Sequence, residues 1–549
     1  MRIASHHRMA VLLLAFIPLA LIPLSCAPEG VSKSAITSSI ESRIVHADTS
    51  SSIAGERLLL PDPVARFYKA HQFKAAWSPD AVPHVIRAIQ GVYADGLNPN
   101  DYHVATIQKL DEQRKEASTV ELEAALDLLI TDAVAAVFDH VRYGKVRPVL
   151  VDRRWNVDPR DGAPPLDEQV ERVVGSSDPV AAIEAEKPDH FIYKGLKREL
   201  ARLRAIGAKG GWPTIPPGKP IEPGAEDPRV PRVRARLAAG GELDSTAASD
   251  SSPRYDAKLA GAVRLFQARQ RLPDSGVLDQ MTVEAMNVPA DARAAQVRVN
   301  LERARWVLGG LRGDFLLVNL PAFKAYLIRD DRNVWETHLQ ISESVKPPPT
   351  FRAEMRAVVF NPDWTVPEAM VATEILPELK RGRNVLPEMK LKVFDVSGRE
   401  LDPAIIDWGR VSAENFPYTL KQPPGPDNPL GNVMFDSPNK YGVYLHDIPG
   451  PEVVGTEGPF FKHGSIRVTN AVDLAQVLLH GEEKWNRVKI AQVLAGRKTV
   501  GVELRRGPAV LVVYWTVSVG AGGEVRYAQD IFKLDQSVLD ILNGPPRAG

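Results

Sequence analysis

Cysteine is almost absent: the 549-residue chain has one, Cys26. A single thiol excludes a disulfide within the chain, and its place near the start removes it from any folded domain as a nucleophile. Long apolar runs are equally scarce. The one candidate runs from Met9 to Leu24, interrupted by two prolines and preceded by Arg2, His6, His7 and Arg8. At about 16 residues it is short for a membrane-spanning helix and suits the core of an export signal. An excess of one charge sign is missing too. Lys plus Arg and Asp plus Glu both number 68, for a formal net charge of zero, which argues against a broad electrostatic grip on nucleic acid. No cluster of His, Cys, Asp and Glu falls at metal-ligand spacing, so neither metal nor other cofactor is expected.

What is present is an ordinary globular composition, 44% hydrophobic and 25% charged, in a chain long enough for two to four units. Residues 1–27 read as a signal peptide. Leu21-Ile22-Pro23-Leu24-Ser25-Cys26 resembles a lipoprotein signal, which makes Cys26 a candidate lipid anchor; cleavage after Ala27 competes, and the two readings stay open. Residues 28–55, rich in Ser, Thr and Ala, predict a flexible linker. Residues 56–210 predict a mainly helical region. Its strongest element is 120–142, where Leu122, Leu126, Leu129, Ile130, Val134 and Phe138 recur at helical spacing.

Prolines and glycines between Gly210 and Pro223 mark a boundary. Residues 227–290 follow, with Val230, Val233 and Leu237, then Phe266-Gln267, then Leu272-Pro273-Asp274-Ser275-Gly276-Val277-Leu278-Asp279. This order resembles the three-helix peptidoglycan-binding domain. The insertion 238–252 reads as a mobile loop. From 295 to 545 short apolar runs predict strands at 314–321, 323–328, 356–360, 441–445, 499–504 and 509–516, with a helix near 472–479. A long insert at about 367–420 separates them. The fold class is thus α+β and multidomain.

Tyr444-Leu445-His446-Asp447 precedes Lys462-His463-Gly464-Ser465-Ile466-Arg467, with 15 residues between His446 and Lys462. This resembles the active-site signature of the L,D-transpeptidases of the YkuD type, in which a His is followed by Ser/Thr-His-Gly-Cys. Three further blocks resemble the same family: Asn319-x-Pro321, Asn361-Pro362-x-Trp364-x-Val366-Pro367, and Pro424-Gly425 through Asn428-Pro429-Leu430-Gly431. Gly96-Leu97-x-Pro99-x-x-Tyr102 resembles a segment of the helical scaffold in its large Gram-negative members. The resemblance implies a helical scaffold, a three-helix peptidoglycan-binding domain and a β-rich L,D-transpeptidase-like sandwich whose insert is a lid.

By that resemblance His446 is the base, Ser465 stands where the family has its nucleophilic Cys, and the backbone N–H groups of Gly464 and Ser465 receive the oxyanion. Arg467, Tyr444, Trp364 and His463 are the implied substrate-binding residues. Lys462 replaces the usual Ser/Thr. A thiol with a pKa near 8.5 is readily ionised beside an imidazole, whereas a serine hydroxyl must be deprotonated during attack by a well-oriented base. Two readings follow: acyl transfer on peptidoglycan tetrapeptide stems (3-3 crosslinking) through Ser465, or a catalytically inactive homologue that binds peptidoglycan and acts beside an active paralogue. An unrelated serine hydrolase is disfavoured, since no Gly-x-Ser-x-Gly elbow surrounds Ser465. Peptidoglycan is the expected partner, in the periplasm or anchored to the outer membrane.

Overall fold

The computed structural model describes residues 31–45, 47, 51–309, 311, 313–342, 349–448, 460–461, 465–481 and 484–546. The expected signal region with Cys26, and Lys462, His463 and Gly464, lie outside the described residues. Among the described residues no helix is long and apolar enough to cross a membrane.

The N-terminal region is helical. Helix α1 (Lys33–Ile44) packs on α2 (Val120–Tyr143) through Ile40 and Ile44. This corrects the reading of 28–55 as a flexible linker: two isoleucines four residues apart form an apolar stripe that the Ser-rich composition concealed. Helix α2 starts at Thr119, whose hydroxyl accepts the Leu122 N–H at 3.2 Å. It is buried on all sides, and its few polar groups fix loops. The Asp132 carboxylate accepts the N–H groups of Leu59 and Leu60 at 2.7 and 2.8 Å. Asp127 does the same for Ala76 and Trp77, at 2.9 Å each.

Helix α3 (Phe191–Gly207) leads across the boundary to a three-helix unit of α4 (Val230–Gly240), α5 (Ala257–Arg269) and α6 (Gln280–Asn287). Val233, Leu237, Val263, Phe266 and Met286 form its core. Buried Gln267 explains the Phe-Gln pattern, because its amide donates to the Val277 carbonyl at 2.8 Å and accepts from the Gly276 N–H at 2.9 Å. Gly276 has a φ of +76°, as that turn requires. The segment 238–252 contains the end of α4 and a short 3₁₀ turn, Ser245–Ser249, capped by Asp244.

The predicted β domain does not begin with a strand. Residues 290–308 form helix α7 (Ala290–Leu308). Val299 and Trp306 enter the core of the N-terminal helices, while Val297, Leu301, Ala304 and Leu308 face the sheet. A helix that serves two cores lacks a single apolar stripe, and this hid it from periodicity.

Among the described residues the main sheet has eleven strands. In chain order they are β1 (Phe315–Asn319), β2 (Lys324–Arg329), β3 (Arg332–Ser342), β4 (Phe351–Glu354), β5 (Ala357–Phe360), β6 (Val433–Asp436), β7 (Leu445–His446), β8 (Phe460–Phe461), β9 (Ile466–Val468), β10 (Val500–Glu503) and β11 (Ala509–Val513). Their spatial order is β10-β5-β6-β7-β9-β3-β2-β1-β11-β4, with β8 beside β3. Pairing is antiparallel except at β7–β9, β8–β3 and β11–β1. Alternation explains the continuous apolar runs of β1 and β11. Leu316, Val318, Val510 and Val512 enter the core enclosed by the curled sheet and α8 (Ala471–Leu478), whereas Phe315, Leu317, Leu511 and Val513 meet α3 and α7 outside.

Of the predicted strand 441–445 only Leu445 is in a strand, continuing to His446. The last helix, α9 (Asp535–Asn543), leaves the sheet altogether. Its Val538 and Leu542 complete the core of the N-terminal helices, and Lys145 Nζ donates to the carbonyls of Leu542 and Gly544 at 3.0 and 2.5 Å. The insert is a small folded unit. Trp364–Thr365, Lys392–Phe394, Glu400–Leu401 and Thr419–Gln422 form a four-stranded antiparallel sheet over a core that includes Ile375, Leu386, Val393 and Leu420.

Candidate active site

Strand β7 is two residues long, yet it places the most telling side chain. Leu445 points into the sheet core and His446 to the opposite side, where it is 3% exposed. His446 Nδ1 lies 2.8 Å from the backbone carbonyl of Asp447. A carbonyl can only accept, so the proton sits on Nδ1 and Nε2 keeps its lone pair. Burial drives the imidazole pKa down to about 4. The Arg467 charge pushes the same way, against the favourable carbonyls of Asp447 and Leu430.

The Asp447 carboxylate takes no part in orienting the ring. It accepts the Asn432 N–H at 3.0 Å and the Asn432 side-chain amide at 3.1 Å. Gly431 makes the approach possible. It has a φ of +65°, and a Cβ there would lie 2.7 Å from the Asp447 Cβ.

The Asn428 motif anchors this turn. Asn428 is fully buried, and its amide donates to the carbonyls of Pro362, Gln422 and Pro423 at 2.9, 3.3 and 3.2 Å while its Oδ1 accepts the Leu430 N–H at 2.9 Å. The base of the insert is thereby tied, through Asn428 and Leu430, to the imidazole. The other two motif asparagines are structural. Asn319 exchanges two hydrogen bonds with the Trp515 backbone, both 3.0 Å, and Asn361 Nδ2 donates to the Val493 carbonyl at 2.9 Å.

Across the parallel pair β7–β9, His446 registers with Arg467 and Leu445 with Ile466, and the Ile466 N–H donates to the Tyr444 carbonyl at 2.9 Å. Half-buried Ser465 immediately precedes β9, beside exposed Tyr444 on the neighbouring chain segment. Adjacent strands lie about 4.8 Å apart, so the fold brings His446, Ser465, Arg467 and Tyr444 to one end of two neighbouring strands. Trp364 lies on the insert's edge strand opposite Gln422. His463 and Gly464 fall outside the described residues.

Sequence reasoning missed Gln340. It registers with Arg467 across β9–β3, and its Oε1 accepts from Arg467 Nη1 at 3.5 Å. The row His446–Arg467–Gln340 crosses three strands. Only the β3 register could have revealed it. Among the described residues no group of three His, Cys, Asp or Glu could hold a metal.

The model of the L,D-transpeptidase catalytic domain (YkuD) matches residues 313–490, that of a "Scaffold domain" residues 62–200, and that of a "Putative peptidoglycan binding domain" residues 226–286. A protein of Haemophilus influenzae named "Putative L,D-transpeptidase" is 29% identical over 280 residues, which cover 50% of this chain and 56% of that one. The chain thus spans little more than half the length of that relative. The crystal structure of the L,D-transpeptidase (residues 123–326) from Xylanimonas cellulosilytica covers 54% of this chain and 99% of its own. At 14% identity and a TM-score of 0.15 it carries no argument. Residues 313–490 are thus similar to the L,D-transpeptidase (YkuD) catalytic domain, and residues 226–286 before them to a peptidoglycan-binding domain.

Proposed function

We propose that this is a cell-envelope protein whose L,D-transpeptidase domain binds the tetrapeptide stems of peptidoglycan and that, with Ser465 in the nucleophile position, it turns them over poorly or not at all. The observation that carries this reading is the His446 imidazole, held by a backbone carbonyl with its pKa near 4. Removing a proton from a serine hydroxyl calls for a base tuned near the working pH and steadied as it becomes positive. His446 is a much weaker base, has no carboxylate on its ring and lies next to the Arg467 charge. In this reading Tyr444, Trp364, Arg467 and His463 line the stem-peptide cleft, and the insert closes over it as a lid. The three-helix unit holds the protein to the wall, where an active paralogue does the chemistry.

The second reading is acyl transfer through Ser465, and the tautomer favours it. With the proton on Nδ1, Nε2 is free to take the Ser465 hydroxyl proton as Oγ attacks the stem carbonyl. The new Oγ–acyl bond replaces the amide to the terminal D-amino acid, which leaves as an amine carrying that proton. The acceptor amine then attacks the acyl carbon, gives up a proton to Nε2, and the Oγ–acyl bond breaks as Oγ takes that proton back. Backbone N–H groups of Gly464 and Ser465 receive the oxyanion.

The test incubates purified protein and its Ser465→Ala and Ser465→Cys variants with disaccharide-tetrapeptide and reads products by mass spectrometry. The first reading expects no crosslinked product from wild type or Ala, stem-peptide binding by all three, and product from the Cys variant. Product from wild type that the Ala substitution abolishes would overturn it in favour of the second.

A further inference from the structure

Where the three units meet, four guanidinium groups line one small cavity of about 20 Å³, together with Trp212, Phe266 and Tyr527. Arg202 comes from α3, Arg236 from α4, Arg269 from α5 and Arg293 from α7. Two carboxylates answer them, each holding one arginine, and Glu242 Oε2 is buried without a hydrogen-bond partner among the described residues. Glu199 takes Arg202 through two hydrogen bonds of 2.8 and 2.7 Å and also accepts the Tyr527 hydroxyl at 2.5 Å. Glu242 Oε1 takes Arg269 at 2.6 Å. Four cations against two anions leave an excess of two positive charges.

Arg236 is the decisive member. It is 3% exposed, lies over the Trp212 ring at 3.7 Å, and donates through Nε to the Met286 carbonyl at 2.7 Å. Its Nη1 is buried and has no hydrogen-bond partner among the described residues. Among the described residues Arg293 donates only to the neutral amides of Gln296 and Gln270, at 2.9 and 2.7 Å, above the Tyr527 ring. Among the described residues neither arginine has a carboxylate within ion-pair distance. Burial pulls both below the usual arginine pKa, Arg236 to about 10. Uncompensated buried charge is costly, and a bound counter-ion removes most of that cost.

We propose that this cavity is a binding site for a single halide ion, chloride in physiological media, held between Arg236 and Arg293. The cavity has room for a monatomic ion. Because the surrounding side chains come from the helical region, the three-helix unit and the sheet's outer hairpin (Val517–Val519 and Val525–Tyr527), occupancy couples all three units. The ion acts as an inter-domain fastener.

The test follows thermal unfolding of the purified protein in sodium chloride, sodium bromide and sodium gluconate at equal ionic strength, which holds general screening constant. Chloride and bromide should raise the midpoint above that in gluconate by roughly 2–4 °C, with a saturable dependence on concentration. Arg236→Gln should remove that difference. Should the variant fail to fold, anomalous diffraction from wild-type crystals grown in bromide decides alone, and a peak between Arg236 and Arg293 is expected. Equal midpoints in the three salts, or a bromide-soaked crystal with no peak there, would overturn the proposal. The orphaned Arg236 Nη1 and Glu242 Oε2 would then be joined by water.

Discussion

His446 and Asp447 are neighbours in sequence, and the backbone carbonyl of the second holds the ring of the first, Nδ1 to oxygen at 2.8 Å, while the Asp447 carboxylate turns away to Asn432. The geometry fixes the imidazole tautomer without lending it negative charge. A thiol, ionised with little help, tolerates such a base better than a hydroxyl does.

Titration of His446 follows from its burial. Followed by NMR on ring-labelled protein, it should remain neutral down to about pH 4. Because the folded pKa lies below the unfolded value of about 6.5, the unfolded state binds the proton first. Stability is therefore full above pH 6.5 and declines as pH falls toward 4, by of order 3 kcal/mol for this group. Arg467→Gln should move the titration upward, since the Arg467 charge opposes protonation.

His103 should behave in the opposite sense. Burial pulls its pKa down, but hydrogen bonds and charges from Asp132 (Nε2 to Oδ2, 2.8 Å) and Glu56 (Nδ1 to Oε2, 3.3 Å) outweigh it, and the net shift is upward. Its stabilisation is present below pH 6.5 and is lost as pH rises through the raised value. Denaturation midpoints measured from pH 5 to 9 should fall less steeply in His103→Gln than in wild type.

Gly431→Ala is expected to disturb the site from a distance. The new methyl group would lie 2.7 Å from the Asp447 Cβ and 3.0 Å from its carbonyl carbon, at a φ of +65°. A loss of about 1–3 kcal/mol in urea unfolding should accompany a displaced His446 ring signal. A loss of stability with an unchanged ring signal would show that the Asp447 carbonyl does not depend on Gly431.

Glu302 and Arg305 form a fully buried ion pair at 2.7 Å on α7, and the Glu302 carboxylate also accepts the Val146 N–H at 2.5 Å. Glu302→Ala leaves the buried guanidinium without its ion-pair partner, held only by the Tyr193 hydroxyl and the Asp95 carbonyl, and should cost about 3–5 kcal/mol in chemical denaturation. Glu302→Gln keeps an acceptor for Val146 and should cost less.

The sequence by itself determined the resemblance to the L,D-transpeptidases and which residues carry it. Spacing and motif are local properties: His446, Ser465 and the Asn428 turn are recognisable without coordinates, as are the long helix 120–142 and the Phe-Gln pattern around Gln267. Tertiary structure decided what those residues experience. Whether the ring of His446 meets a carboxylate or a carbonyl depends on where the Asn432 turn comes to rest. Gln340 joins the site through strand register. Helix α7 and the Ile40–Ile44 stripe were concealed because burial against two partners, or within a Ser-rich segment, erases the simple period that sequence reading relies on. The four arginines around Tyr527 are scattered over 91 residues between Arg202 and Arg293. Only the packing of three units brings their charges together, since electrostatic energy depends on distance in space and on burial rather than on position along the chain.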